Sequence, residues 1–204
     1  MDYEPTVRGV TASDAAPGVE ALASDRYLGP LVAEHGKKTL EPAPDFFHRF
    51  MVSITRQQLS MAAAAAIMDR LENDVRITPA AILQADYDVL RATGLSEMKL
   101  ATMRRIAEQF VTGSWSRDRF AGQEDAAVTE KLTAVRGVGI WTAKMQLMFS
   151  LGRTDVFPVE DLGIRRGMHT LVDDDLTRNE MTEIATRWAP HRSVASLYLW
   201  ELGD

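Results

Sequence analysis

Two adjacent carboxylates, Glu160 and Asp161, follow the short extended stretch DVFPV and precede a helical pattern. A carboxylate held at such a position can stabilise a developing positive charge or orient a water molecule. The alternative is structural, since an aspartate between a loop and a helix is a common N-cap. Taken alone, the acid pair favours the N-cap, so the decision depends on what lies upstream.

Upstream of the acid pair, the stretch LTAVRGVGIWTA predicts two helices joined by a tight turn. Gly137 and Gly139 tolerate positive φ and let a neighbouring group come close to the backbone. The second helix then begins with exposed N–H groups, and such a helix start binds anions, including a DNA phosphate. This is the helix-hairpin-helix pattern, which holds the DNA backbone without reading base sequence. An ordinary turn between two helices is the alternative.

The total charge and its distribution point in different directions. The formal net charge is −6, which by itself argues against a nucleic-acid partner, because phosphate contacts need lysine and arginine. Residues 131–167 nevertheless carry six basic groups against three acids. The basic segment thus coincides with the hairpin, although a random scatter of solvated charge accounts for it equally well.

Composition excludes several kinds of site. There is no cysteine, which rules out disulfides, thiolate zinc sites and cysteine-ligated iron–sulfur clusters. The four histidines show no metal-ligand spacing. The first residues lack a signal-peptide pattern, and no apolar run is long enough to span a membrane. We therefore expect a cytoplasmic protein with a substantial core.

The elements that must position these residues are helical. Polar residues 1–16 predict a flexible arm, and from residue 17 onward the pattern predicts an all-α fold of roughly ten helices with short connections. Helix starts are marked by capping residues at Asp45, Ser60, Thr78 and Ser96. Phe46, Phe47 and Phe50 are expected in the core.

Several motifs in order resemble one protein family. The stretch L-x-x-V-R-G-V-G-x-W-T-A followed by D-V-F-P-V-x-D-L-G-I-R-R is similar to the helix-hairpin-helix (HhH-GPD) DNA glycosylase superfamily, in its alkylbase or 3-methyladenine DNA glycosylase II branch. Further matches are ITRQQLS, GLS with Lys99, and RWAP with Trp200, spanning residues 27–202. The resemblance implies one domain over residues 17–204, in the family's compact form, with two helical subdomains and a cleft between them. Its hairpin would span 125–151 and its catalytic segment 155–166.

The resemblance implies a monofunctional DNA glycosylase. Such an enzyme flips an alkylated purine out of duplex DNA and hydrolyses its N-glycosidic bond in base excision repair, leaving an abasic site. The catalytic residue would be Asp161, with its neighbour Glu160 as the runner-up. Bond cleavage builds positive charge on the sugar, which a fixed anion stabilises. Members with lyase activity carry a lysine where this chain has Trp141, so no lyase activity is expected.

The resemblance also implies how the base is held. Trp141 and Trp200 match aromatic pocket positions, and a cationic alkylated base over an aromatic face gains about 0.5–2 kcal/mol. The alternative is that both are core tryptophans. Trp188 also matches a family position, but we expect it to pack in the core.

The triplet Gln57-Gln58-Leu59 matches the loop that fills the gap left by the flipped base, so we treat it as the wedge. A surface helix end is the alternative, because glutamine is common there. Arg56 departs from the family, whose members usually have glycine before the two glutamines.

The remaining implied contacts lie in the hairpin. The implied DNA-binding residues are Arg136, Gly137, Val138, Gly139 and Thr142. In some relatives the hairpin carbonyls hold a structural monovalent cation, and here these would be the carbonyls of Thr133, Val135 and Val138. No cofactor is expected beyond that cation. The expected partner is damaged double-stranded DNA, with no membrane and no second subunit.

Three other functions remain open from the sequence. One is a glycosylase for deaminated bases such as hypoxanthine or uracil, because backbone contacts do not discriminate between bases. Another is a DNA-binding helix-hairpin-helix module without catalysis. A third is a helical interaction domain without a DNA role, which would lack the steep salt dependence of phosphate contacts.

Overall fold

The computed structural model describes residues 17–172 and 175–203, and the predicted arm at 1–16 lies outside them. Within those ranges the structure is helical and contains no β-strand, so the all-α prediction is confirmed. None of the helices in the described part of the chain is long and apolar enough to cross a membrane.

Thirteen α-helices and one 3-10 helix form the described structure. In chain order they are α1 Pro17–Ala23, α2 Leu28–His35, α3 Phe46–Arg56, α4 Met61–Asp74, α5 Pro79–Gln84, α6 Tyr87–Ala92, α7 Glu97–Val111, α8 Arg117–Ala121, α9 Asp125–Thr133, α10 Ile140–Phe149, α11 Leu162–Leu171, α12 Arg178–Ala185, the 3-10 helix Thr186–Trp188, and α13 Arg192–Gly203.

The predicted helix starts are confirmed. Asp45, Ser60, Thr78 and Ser96 each accept a hydrogen bond from a backbone N–H in the first turn of the helix that follows. These caps satisfy donors that no helical carbonyl reaches. Local sequence therefore determines where these four helices begin.

The number of helices exceeds the prediction because short helices escape a periodicity argument. The six-residue α6 and the five-residue α8 are capped by Asp86 and Ser116. Neither is long enough to show a repeated apolar face. The helix α12 ends at Ala185, and the chain continues directly as the 3-10 helix.

The described residues form two compact units. The discontinuous unit contains the described residues up to Glu41 together with those from Gly152 onward, and the continuous unit is Pro42–Leu151. The discontinuous unit has an apolar core built from both of its chain segments. Its buried members are Val19, Leu22, Leu28, Leu31, Phe157, Ile164, Met168, Met181, Ala185, Trp188, Val194, Ala195, Tyr198 and Leu199.

The continuous unit is centred on an aromatic cluster. Phe46 lies edge-on to Phe110, with 5.1 Å between ring centroids, and Phe50 stacks on Trp115 at 5.5 Å. Offset and edge-on pairs of this kind add to the free energy gained from burial alone. The three phenylalanines of α3 are buried, as expected, and they fix α3 against α7.

Candidate active site

Asp161 is the N-cap of α11, and its carboxylate is held by two donors. Its Oδ1 accepts a hydrogen bond from the backbone N–H of Ile164 at 3.1 Å. The same oxygen accepts one from the indole Nε1–H of Trp200 at 2.9 Å. The backbone N–H of Asp161 in turn donates to the carbonyl of Pro158 at 2.9 Å. The N-cap role and a catalytic role are therefore compatible, because the cap itself fixes the carboxylate.

A glycine makes room for the bond between Trp200 and Asp161. A Cβ at Gly163 would lie 2.8 Å from Cδ1 of Trp200 and 3.2 Å from Oδ1 of Asp161. At the first distance the indole would have to move, since real Cβ atoms do not come that close. Gly163 thus allows α13 to present its tryptophan to the start of α11, where the half-buried Trp200 also packs against the core of the discontinuous unit.

The extended segment before Asp161 is anchored to the start of α13. The Arg192 guanidinium donates to both carboxylate oxygens of Asp155, at 2.6 and 2.9 Å. These hydrogen bonds hold the pKa of Asp155 below its ordinary value. Next in the chain, the Ser193 hydroxyl donates to the carbonyl of Arg153 and accepts from the N–H of Val156 at 3.0 Å. A bidentate ion pair and a buried hydroxyl therefore fix the path of the chain towards Asp161.

The neighbours of Asp161 differ from it in their contacts. Glu160 is half-buried, and its backbone carbonyl accepts a hydrogen bond from the Arg165 guanidinium at 3.2 Å. Arg166 is exposed on the same helix. The two arginines that follow the acid pair thus lie in the first turns of α11, beside the two carboxylates.

The hairpin consists of α9, a turn and α10. Gly137 has φ 97°, and a Cβ on it would lie 2.0 Å from Oγ1 of Thr102. The Thr102 hydroxyl bonds to the carbonyls of Met98, at 2.8 Å, and Arg136, at 3.3 Å. Both the backbone conformation and the close approach of α7 therefore require glycine at this position.

Gly139 plays a different part from Gly137. It is the N-cap of α10, with φ −95°, and it has no side chain to cap the helix. A Cβ at this position would meet nothing within 4 Å. The structure itself therefore does not require glycine here, and the open space beside the start of α10 is what a phosphate would need.

The other predicted hairpin residues divide into buried and exposed groups. Val138 and Thr142 are buried, and Thr142 is only 1% exposed. Its hydroxyl accepts a hydrogen bond from the side chain of Gln57 at 2.9 Å. The Arg136 side chain is exposed. Only Arg136 thus offers a side chain to solvent, and the buried pair is restricted to backbone contributions.

Trp141 is half-buried at the second position of α10. Lys144 lies one turn further along the same helix and is also half-buried. By contrast, Trp188 is 1% exposed and its ring lies 6.1 Å from that of Phe157. The expectation that Trp188 packs in the core is confirmed.

The triplet predicted as the wedge forms a tight turn after α3. Gln57 has φ −53° and ψ 121°, Gln58 has φ 58°, and the N–H of Leu59 donates to the carbonyl of Arg56 at 3.2 Å. This is a type II turn, in which the third position normally carries glycine. Gln58 and Leu59 are exposed, whereas Gln57 and Arg56 are half-buried.

Sequence reasoning missed several residues that position this site. Each of these contacts joins residues that are far apart in the sequence. They are the ion pair of Asp155 with Arg192, the hydroxyl of Thr102 against the hairpin turn, and the space that Gly163 leaves for Trp200. The sequence offers one local sign that Gly163 has a special role. Glycine lowers helix propensity, so its presence in the first turn of a helix suggests that another residue packs closely against it. No comparable local sign in the sequence marks Asp155, Arg192 or Thr102.

Comparison with known proteins places this geometry in a family. A model of the HhH-GPD superfamily of base excision DNA repair proteins matches residues 51–191. The chain is 33% identical over 165 residues to DNA-3-methyladenine glycosylase 1 of Schizosaccharomyces pombe, covering 76% of this chain and 71% of the relative.

Solved structures agree with the sequence relatives. The crystal structure of a DNA-3-methyladenine glycosidase from Bacillus halodurans superposes with a TM-score of 0.80 at 34% identity, covering 93% of this chain and 90% of the other. A 3-methyladenine DNA glycosylase of S. pombe in complex with abasic DNA gives 0.83 at 28% identity, covering 91% and 96%. The chain therefore belongs to the HhH-GPD superfamily of base excision DNA repair proteins.

Proposed function

We propose that this protein is a DNA glycosylase that removes alkylated purines, of the 3-methyladenine and 7-methylguanine type, from duplex DNA. The observation that carries the proposal is the Asp161 carboxylate, which the Ile164 N–H and the Trp200 indole hold by one oxygen. It lies in a chain whose relatives are named DNA-3-methyladenine glycosylases. These relatives support the enzyme class predicted from the sequence.

The carboxylate supplies what cleavage of an N-glycosidic bond needs. As the bond from C1′ of the sugar to the base nitrogen breaks, its electron pair leaves with the base and positive charge develops on the sugar. The fixed Asp161 anion stabilises that charge and orients a water molecule for attack on C1′. The water oxygen forms the new bond to C1′, its proton passes to the carboxylate or to solvent, and an abasic site remains.

The substrate class follows from the leaving group. Alkylation at N3 of adenine or N7 of guanine makes the base cationic, so it departs as a neutral molecule without a strong general acid. Trp141 and Trp200, half-buried in their respective units, are the proposed aromatic contacts of that cation. A neutral deaminated base gains less from either feature.

The proposed hold on DNA is the turn before α10. Gly139 leaves the start of that helix without a capping side chain and without crowding. A phosphate at this point would accept hydrogen bonds from backbone N–H groups. The exposed Arg136 adds a charge beside it. Such contacts hold the backbone without reading sequence, which suits an enzyme that must search all DNA.

A monovalent cation fits the same turn as a structural element. Thr133 ends α9, and Val135 accepts a hydrogen bond from the N–H of Val138 at 3.0 Å. A carbonyl oxygen has two lone pairs, so a bonded carbonyl can still ligate a cation. The carbonyls of Thr133, Val135 and Val138 would hold the ion, which would offset the repulsion of carbonyl dipoles in the turn.

The central experiment is a base-release assay on methylated DNA with wild type and Asp161→Asn. We expect the variant to lose about a hundredfold to a thousandfold in single-turnover rate, as for the loss of one electrostatic stabiliser. Its affinity for duplex DNA containing an abasic site should stay within about twofold, because the fold and the hairpin are unchanged. Deaminated and oxidised DNA in the same assay ranks the other possible substrates.

Two outcomes would contradict the proposal. If the enzyme released hypoxanthine or uracil but no methylated base, its substrates would be deaminated bases instead of alkylated purines. If wild type released no base from any substrate while both proteins bound DNA equally, the protein would be a DNA-binding module without catalysis.

The proposed reaction stops at the abasic site. Lyase members of the family act through a lysine at the position of Trp141, and Lys144 lies one turn away from it. After complete base release, the product strand should stay intact on a denaturing gel until alkali is added. A cleaved strand before alkali, together with an adduct trapped by borohydride, would show lyase activity.

We propose damaged double-stranded DNA as the partner of a monomer acting in the cytoplasm, associated with the nucleoid if the source is prokaryotic. One protein per lesion-containing duplex is expected in sedimentation at micromolar concentrations. Two proteins per duplex would contradict the monomer.

A further inference from the structure

The ammonium group of Lys99 lies at the end of α3, where the chain turns. Its Nζ donates to the carbonyl of Thr55 at 2.7 Å and to that of Gln57 at 2.8 Å. The last carbonyls of a helix have no helical partner, and a cation there also suits the helix dipole. The Lys99 side chain is half-buried at this position, and the burial lowers its pKa.

Gln57 is tied to the hairpin through its side chain. Its Nε2 donates to the carbonyl of Gly137 at 3.1 Å and to the hydroxyl of Thr142 at 2.9 Å. A side-chain amide has two N–H donors, and both are used by these bonds. The backbone of Gln57 is therefore held by Lys99 and its side chain by the hairpin. The amide donors of Gln57 are thus used in contacts within the protein.

Gln58 presents the opposite case. It is exposed, and among the described residues it is the one non-glycine with positive φ, at 58°. Glycine suits this position of a type II turn better than any L-residue. A glutamine at an unfavourable backbone position needs a reason, and in native proteins such outliers cluster at functional sites.

We propose that Lys99 and Gln57 are positioning residues, which fix the exposed Gln58 of the wedge loop relative to the hairpin before DNA binds. The proposal rests on the proposed function, since it assigns roles within base flipping. The sequence alone did not distinguish Gln57 from Gln58 within the wedge triplet. The structure assigns Gln57 to holding the wedge loop in place.

The arrangement couples the two DNA contacts physically. The hairpin would hold a phosphate, and Gln58 would fill the gap left by the flipped base. Because Gln57 bonds to the hairpin and Lys99 holds the turn, the distance between the two contacts is set before DNA binds. Preorganisation of this kind removes the ordering cost from the step in which the base leaves the stack. The residues involved all lie in the continuous unit, Pro42–Leu151, and they are Thr55, Gln57, Gln58, Lys99, Gly137 and Thr142.

The test compares Lys99→Met with wild type on one methylated base in duplex and in single-stranded DNA. Methionine keeps most of the apolar stem and removes the donor. We expect the duplex rate to fall about tenfold, the size of losing a charged hydrogen-bonded contact. The single-stranded rate should stay within about twofold, because no opposite stack has to be filled. Lys37→Met, in the discontinuous unit, is the matched lysine control and should leave both rates unchanged.

Gln58→Gly completes the cycle. Glycine suits the turn, so the melting temperature should not fall, yet the duplex rate should drop about tenfold because the side chain is gone. The double variant with Lys99→Met should be no slower than Gln58→Gly alone, since both changes remove one function. Equal loss on duplex and single strand, or multiplicative losses in the double variant, would overturn the proposal.

A binding measurement keeps the proposal testable if the enzyme assignment fails. 2-Aminopurine placed beside an abasic analogue in a duplex should change its fluorescence when wild type binds, because insertion alters the local stack. Lys99→Met and Gln58→Gly should abolish that change while retaining affinity. If wild type excises nothing but this pattern holds, the proposed function falls and the positioning role stands. If the variants keep the full change, the positioning role falls.

Discussion

The two regions assigned to chemistry and to DNA binding are built by opposite means. At the start of α11 the important groups are side chains, with the Asp161 carboxylate held by the indole of Trp200. In the hairpin turn they are backbone groups, and Gly137 and Gly139 matter for what they lack. A developing charge needs one ionised group at one place, whereas a phosphate needs only accessible N–H groups.

This difference has a consequence for mutation. In the carboxylate region, a substitution that displaces Trp200 should slow the reaction. Replacement of the carboxylate itself should abolish most of the activity while the protein remains folded. The hairpin should tolerate side-chain changes at exposed positions and should fail where a Cβ is added at a crowded glycine.

Gly137→Ala and Gly139→Ala separate folding from phosphate contact within one turn. Alanine at Gly137 has an unfavourable φ of 97° and a Cβ 2.0 Å from Thr102 Oγ1. We expect it to lower the free energy of unfolding by about 2–3 kcal/mol. At Gly139 the Cβ is uncrowded, so stability should change by less than about 0.5 kcal/mol.

The expected change at Gly139→Ala is in DNA affinity, which should fall about fivefold through weakened backbone contacts. Urea denaturation and fluorescence anisotropy with abasic DNA measure the two quantities. If Gly139→Ala bound DNA as tightly as wild type, the start of α10 would not be the phosphate site.

Trp200→Phe tests the carboxylate region without removing the carboxylate. Phenylalanine keeps an aromatic ring but lacks the N–H that donates to Asp161. Loss of one such hydrogen bond should slow single-turnover base release about tenfold. Affinity for abasic DNA should change by less than about twofold, because the sugar is held mainly through its phosphates.

Gly163→Ala is the companion change, since its Cβ would lie 2.8 Å from Trp200 Cδ1. It should slow the reaction in the same way, and the two changes together should cost no more than the larger one, because both break a single contact. Independent, multiplicative losses would mean that Trp200 does not act through Asp161.

Asp155→Asn tests the anchor of the catalytic segment and has the smallest expected effect. The hydrogen bonds from Arg192 hold the pKa of Asp155 below its ordinary value of 3.8. A depressed folded-state pKa contributes stability above that ordinary value, and the contribution is lost as the pH falls through the folded-state pKa. The variant should therefore be about 1 kcal/mol less stable at pH 7, with the difference shrinking below about pH 4.

Denaturant unfolding at pH 7 and pH 3 measures that difference. Asp175→Asn, at an exposed aspartate of the same unit, is the control and should change stability little at either pH. A stability difference for Asp155→Asn that persists undiminished at pH 3 would show that the ion pair is not its source.

Much of the fold was predictable because helix starts are local. Each cap at Asp45, Ser60, Thr78 and Ser96 joins residues three positions apart, so the sequence contains both partners of the contact. Short helices such as α8 were missed for the converse reason. Their existence depends on Phe120 being buried by tertiary neighbours, which periodicity in five residues does not reveal.

The candidate site was predictable as far as its motifs extend. The glycine turn and the acid after DVFPV are recognisable because their spacing is short and their residue types are unusual. The wedge triplet was recognisable too, but the sequence gives its three residues equal standing. The sequence could not show that the Gln57 side chain bonds within the protein while Gln58 is exposed, because the partner of Gln57, Thr142, is 85 positions away.

By itself, therefore, the sequence determined the helical class, the hairpin and the position of the carboxylate, since each depends on residues close together in the chain. Only the tertiary structure decided which groups hold them in place. The Trp200 indole reaches Asp161 across 39 positions, and Lys99 reaches Gln57 across 42. Contacts between such distant residues form only after packing has fixed both helices, and no local pattern records which side chains will then meet.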